Sequence, residues 1–171
     1  LVDNTTSNDR LVVYRCSSPA AGATVVSLTI DTGGPISVRA ALAEYEGTCT
    51  LDQSPGAFEA MDELTLDSGS ATTTVAAELL FGAGCIGGLG TFTAGASYTL
   101  RQQVPAAPST KICIEDRVVS STASYNATFT TDSITGLGND CIMCSYYAAA
   151  AATPNQNFLT LAIKLETLTN L

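Results

Sequence analysis

Two short patterns in this chain combine the residue types and spacing of a chemical site. Cys141-Ile142-Met143-Cys144 has the C-x-x-C spacing of redox and zinc sites. Gly82-Ala83-Gly84-Cys85-Ile86-Gly87 matches G-x-G-x-x-G, the turn that holds a dinucleotide pyrophosphate at a helix N-terminus. Neither has its required context. A redox C-x-x-C opens a helix after a strand, whereas this one follows a Gly-Asn-Asp turn and precedes Ser145-Tyr146-Tyr147, and the dispersed Cys16, Cys49, Cys85 and Cys113 form no second C-x-x-C for zinc. The glycine motif continues through Gly88 and Gly90 into Thr91-Phe92-Thr93, with neither a helix nor the acid expected about 20 residues on. Structural disulfides and a glycine-rich loop around one of them are the expected readings.

Other chemistry lacks parts. The chain has no histidine, which removes the commonest general base and the commonest metal ligand together. Nucleophilic catalysis would fall to Lys111 or Lys164, neither of them in a Ser-x-x-Lys pattern, and Lys164 is expected on an exposed strand face beside Glu166. Acids stand at Glu44 and Glu46, at Asp62, Glu63 and Asp67, and at Asp31, Asp132 and Asp140, but no pair is marked as a glycosidase dyad. Glu44 and Glu46 are expected to share one solvated strand face. The loops at Asp62 to Asp67 and Asn139-Asp140 do not match a calcium-loop spacing. No metal, no cofactor and no catalytic activity are therefore expected.

The elements that must carry these residues are strands. Period-two alternation recurs at Val26, Leu28 and Ile30; at Ile36, Val38, Ala40 and Leu42; at Val75, Ala77, Leu79 and Phe81; and at Tyr98 and Leu100. Further candidates are 11–16, 112–119, 125–130 and 158–168, separated by clusters such as Thr32-Gly33-Gly34-Pro35. Roughly eight to ten short strands predict an all-β fold, an antiparallel β-sandwich or jelly roll stapled by disulfides among Cys16, Cys49, Cys85, Cys113, Cys141 and Cys144. The run Ala148 to Ala152 reads as one helical turn or a packed strand, and 104–109 as a linker or a crossover between sheets. The last segment puts Leu159, Leu161, Ile163 and Leu165 on one face and Thr160, Ala162, Lys164 and Glu166 on the other, the clearest amphipathic strand in the chain.

With 171 residues, one core suffices: a 1–10 N-terminal extension and a single 11–171 β-sandwich domain. Charged residues are only 13% and hydrophobic ones 46%, so neutral hydroxyl and amide groups must cover the surface. A net charge of −9 argues against nucleic acid and anionic membranes, and the apolar windows are too short to span a bilayer. An even set of six cysteines, glycosylation acceptor sequences at Asn4-Thr5-Thr6 and Asn126-Ala127-Thr128, and a start at Leu1 predict a processed, exported protein at the cell surface.

The stretch from Leu11-Val12-Val13-Tyr14 through Thr91-Phe92-Thr93-Ala94-Gly95-Ala96-Ser97-Tyr98-Thr99-Leu100 resembles secreted prokaryotic β-sandwich modules, the pre-peptidase C-terminal-like and related Ig-like domains, which often end in a T-x-x-A-G-x-x-Y-x-L strand. The resemblance covers a little over half the chain and implies an extracellular binding or spacing role without catalytic residues. By architecture alone the chain is also similar to pilins and surface-filament proteins assembled by donated strands. The expected function is a structural subunit of an extracellular filament, pilus or surface layer, with copies of itself as partners and glycans attached. The candidate inter-subunit strands carry Leu159, Leu161, Ile163 and Leu165, or Leu11 and Val13. The alternatives are an adhesin or carbohydrate-binding module using Tyr45, Tyr146 and Tyr147, and a viral jelly-roll coat protein.

Overall fold

The computed structural model describes residues 2–5, 9–16, 25–29, 36–59, 63–133, 139–149 and 157–167, and every regular element among them is a β-strand. The first sheet runs β1-β2-β15-β3, built from β1 (Val2–Thr5), β2 (Asp9–Cys16), β3 (Ile36–Glu46) and β15 (Asn157–Thr167). The second runs β10-β11-β8-β14-β4, from β4 (Cys49–Leu51), β8 (Glu78–Gly90), β10 (Thr99–Val104), β11 (Thr110–Val119) and β14 (Asn139–Ala148), and β5 (Gly56–Glu59) also pairs β14. A third, β6-β13-β9, joins β6 (Thr65–Asp67), β9 (Phe92–Ala94) and β13 (Thr128–Thr131), while β7 (Ala71–Thr72) pairs β12 (Ser124–Tyr125). All of these pairings are antiparallel, as the strand rhythm predicts.

The second sheet is covered on both faces. Phe81, Ala83, Ile114 and Ile142 pack against Leu11, Val13, Ala41 and Ala162 of the first sheet. Leu80, Cys113, Cys141 and Met143 pack on the opposite face with Leu66, Phe92 and Phe129 of the third. A strand buried on both sides reads as a continuous apolar run instead of an alternation, and this revises the expectation for residues 75–81. Val75 and Ala77 are exposed, β8 begins at Glu78, and the adjacent Leu80 and Phe81 are both fully buried, one toward each neighbouring layer.

Glycines thin β8 where the third layer crosses it. A Cβ on Gly84 would lie 2.6 Å from Phe129 Cδ2, and one on Gly82 would lie 2.8 Å from Ala127 Cβ. The ring of Phe129 meets Phe92 edge-on at 6.1 Å, so it has little room to retreat.

Other expectations are revised by pairing. The stretch from Thr91 to Leu100 is divided between two sheets: β9 belongs to the third and β10 to the second, joined by a turn in which Tyr98 N–H donates to the Gly95 carbonyl at 3.0 Å and Ser97 has φ 69°. Residues 104–109 connect β10 to β11 within one sheet, so they are neither a linker nor a crossover. Ala148 ends β14 as part of the strand, and 150–152 lie outside the described residues, as do Ile30 and 32–35. Val26 and Leu28 are exposed in a segment without regular structure. The expected disulfide staples are not seen: none of the six cysteines is joined in a disulfide. Register keeps one pair apart. Cys113 and Cys141 both pair with Gly84, from opposite sides of β8, which sets them two strand spacings apart, roughly 9–10 Å. That is beyond disulfide reach. Cys85 and Cys144 face the first sheet while Cys113 and Cys141 face the third.

Gly84→Ala is expected to destabilise the fold by about 2–3 kcal/mol through overpacking against Phe129. Urea unfolding of the two proteins measures it, and an unchanged midpoint would mean that the two layers do not meet at this glycine.

Candidate assembly face

The first sheet inverts the amphipathicity read from its sequence. The face of β15 turned to the core carries Phe158, Thr160, Ala162 and Lys164, all buried, whereas Leu159, Leu161 and Leu165 are half-buried on the outer face and Ile163 is covered there. Likewise in β3 it is Ala41 that is buried, with Leu42 40% exposed. The small inner residues Ala41, Ala43 and Ala162 let the sheets approach, and the larger aliphatic side chains are left outside. Cross-strand rows therefore run Tyr14-Leu161-Leu42 and Val12-Ile163-Ala40 across the outer surface. The first of these rows, with Leu159, Val26 and Leu28, lines a groove of about 530 Å³ that also includes Arg15 and the exposed Cys16. An apolar outer face of this kind is the usual mark of an interaction surface.

The six residues proposed for inter-subunit strands fall in different places. Leu11 and Val13 are fully buried in the chain's own core. Leu159, Leu161, Ile163 and Leu165 lie on β15, which is not at an edge: it sits between β2 and β3 and pairs antiparallel with both along their length. Residues 2–5 of the expected extension form the edge strand beside β2. At the other edge, Leu42 N–H donates to Gln102 Oε1 at 3.2 Å.

The chemical motifs resolve into packing. Residues 141 and 144 differ by an odd number on one strand, so Cys141 and Cys144 point to opposite faces of the sheet. Burial pushes the Cys144 thiol up to about 11 and that of Cys113 well above its ordinary value, the reverse of a reactive thiolate. The G-x-G-x-x-G residues lie inside β8, with Gly82, Ala83, Gly84 and Cys85 paired to both β11 and β14. Tyr45 and Tyr146 flank Phe158 at 5.2 and 5.6 Å, and Tyr45 Oη donates to Asp116 Oδ2 at 2.8 Å. Tyr147 is half-buried. Arg101 pairs with the same buried Asp116 through Nε and Nη2, each at 2.8 Å. Asn126 donates from Nδ2 to Asp67 Oδ2 at 2.8 Å, and Asn4 lies in β1.

Among the acids singled out above, Glu44 and Glu46 are exposed on one side of β3 as expected, Asp132 Oδ1 accepts from Thr91 N–H at 2.7 Å, and Asp31 and Asp62 lie outside the described residues. Glu63 is exposed, and Asp140 is fully buried with Oδ2 3.8 Å from Cys85 Sγ. Lys164 is corrected most: it is fully buried, and its Nζ donates to the Ile86 carbonyl from across the layer, while Lys111 donates to the next carbonyl, that of Gly87, at 3.2 Å. The carboxyls that sequence reading missed are Glu115, Asp52 and Glu78. Glu115 sits fully buried beside Gly82, with Oε2 accepting from Gly95 N–H at 2.8 Å and no hydrogen-bond partner for Oε1. Burial raises its pKa to about 8 against the opposing backbone hydrogen bonds. Only the gap in a Gly-rich partner strand hinted at room for such a group.

Comparison with protein-family models, curated proteins and solved structures returns no match for the chain.

Glu115 makes stability depend on pH. In the unfolded chain a glutamate ionises near 4.5, whereas in the fold it holds its proton to about 8, so the native state binds more protons between these values. This contribution is fully present below the unfolded pKa and is lost as pH rises through the folded one, by an amount on the order of 4 kcal/mol. Glu115→Gln should flatten the fall in unfolding free energy between pH 5 and 8. Parallel slopes for the two proteins would show that Glu115 is solvated.

Proposed function

We propose that this chain is a structural subunit of an extracellular filament, pilus or surface layer, a β-sandwich whose last strand is exchanged between neighbouring copies. One observation carries the reading: β15 is the wedge of its sheet, inserted between the two N-terminal strands β2 and β3 and delivering Phe158, Thr160, Ala162 and Lys164 into the core. Without it those two strands would face each other across an open groove with unpaired backbone, the situation in which the same strand from a neighbour supplies identical hydrogen bonds. Register is then set by the alternate side chains that fill the groove.

The apolar outer face supports the same reading. Tyr14, Leu42, Leu159 and Leu161 form a patch that a neighbouring copy can cover, and the weakly charged, acidic composition suits close packing of neutral surfaces. An extracellular, cell-surface location follows from this role. So does the absence of a catalytic assignment for the buried thiols and carboxyls.

Two experiments test the reading. A chain lacking residues 157–171 should fail to fold alone and recover strand structure when a peptide of residues 157–167 is added, whereas a truncated chain that folds unaided would refute strand exchange. Leu42→Lys should leave unfolding free energy within about 0.5 kcal/mol of the parent and weaken self-association by at least about tenfold, read by light scattering over a concentration series. Unchanged association, or a parent that remains monomeric at every concentration, would remove the outer face from the account.

A further inference from the structure

The seam between the second and third sheets closes over one carboxyl. Glu115, in the middle of β11, is fully buried on the face turned to the third sheet, where Gly82 of the neighbouring strand leaves it room: a Cβ on that glycine would lie 2.9 Å from Glu115 Cγ and 2.8 Å from Ala127 Cβ. Its donors come from the overlying layer. Gly95 N–H, one residue past β9, donates to Oε2 at 2.8 Å, and the backbone of Thr128 on β13 adds a second hydrogen bond to the carboxyl. Gly95 is itself pressed on β13, since a Cβ there would lie 2.7 Å from the Thr128 carbonyl oxygen. The other carboxyl oxygen, Oε1, has no hydrogen-bond partner.

The charged groups nearby are engaged elsewhere. Arg117, two residues on in β11, lies over the Tyr125 ring at 5.5 Å, Asp116 is paired with Arg101, and Asp67 on β6 accepts from Asn126 Nδ2. The remaining titratable groups on this face are the thiols of Cys113 and Cys141, from β11 and β14, and the phenol of Tyr98 before β10, which burial pushes up. No cation is among the groups acting on Glu115, so burial outweighs its two backbone donors and the anion is costly there. Only water can relieve that cost. Water enters most cheaply by lifting the thinnest layer: β6, β9 and β13 have three, three and four residues, against 13 in β8 beneath them.

We propose that the third sheet is a pH-gated lid: it closes on the second sheet while Glu115 is protonated, and ionisation of that carboxyl releases it while the first and second sheets stay together. The open form exposes the carboxylate to water and uncovers Leu80, Cys113, Cys141 and Met143, which the closed layer keeps dry. Because opening frees one proton, its equilibrium constant rises about tenfold per pH unit between the open and closed ionisation ranges. Above about pH 8 the closed form is ionised too and the rise levels off.

The buried cysteines report which layer opens, because Cys113 and Cys141 lie under the third sheet and Cys85 and Cys144 under the first. Native full-length chain is alkylated with iodoacetamide from pH 6 to 9, each site is read by fragment mass spectrometry, and its rate is divided by the rate in urea at the same pH. The normalised rates of Cys113 and Cys141 should rise by about tenfold per unit from pH 6 to 8 and then flatten, while those of Cys85 and Cys144 stay level. Glu115→Gln, uncharged throughout, should remove the rise. Should that variant fail to fold, the contrast between the two pairs of thiols in the parent decides alone. Four thiols rising together, level rates at Cys113 and Cys141, or the same rise in folded Glu115→Gln would overturn the proposal.

Discussion

The arrangement depends on one constraint: the second sheet must be dry on both faces. β11, β8 and β14 are its inner strands, and each has to present apolar or small side chains in both directions, toward Phe158 and Ala162 on one side and toward Phe129 and Leu66 on the other. Because sheets pack about 10 Å apart, three layers fit only where side chains are trimmed. Gly82 and Gly84 supply that trimming under Ala127 and Phe129. The same constraint decides the fate of the polar groups. Glu115, Asp140 and Lys164 are each fully buried: Glu115 is held by Gly95 N–H, Lys164 by the Ile86 carbonyl, and Asp140 lies beside the Cys85 thiol.

This constraint also separates what was legible in the sequence from what was not. Strand-forming segments with turn residues between them announced an all-β antiparallel fold, and 112–119 and 157–167 were readable almost to their ends. Polarity was misread where the assumption of one core failed. In β15 the leucines made the obvious apolar face, yet the core took the face with Thr160, Ala162 and Lys164, because an interface between closely packed sheets selects small residues and the other side of the sheet keeps the large ones. Alternation identifies two faces and does not say which is inside when both are apolar enough to be covered.

The candidate site was legible only in part. Leu159 and Leu161 were visible as members of a terminal amphipathic strand, and they do line the outer groove. That β15 is a central strand was not, since spatial strand order is a long-range property that no local pattern encodes. Nor could spacing reveal the burial of Glu115, which follows from which strands meet. The C-x-x-C and G-x-G-x-x-G patterns failed for a local reason: on a β-strand an odd spacing splits residues between faces, and a paired backbone has no free N–H groups for a phosphate.

The account turns on the origin of β15. Electron cryo-microscopy of native assembled material, with the chain traced from Ala149 to Asn157, measures this directly. The account predicts an ordered polymer in which the strand lying between β2 and β3 is contributed by an adjacent subunit, with the Tyr14, Leu42 and Leu161 face covered. Particles that remain single, or a polymer in which every β15 returns to the sheet of its own subunit and that face stays open to solvent, would contradict it.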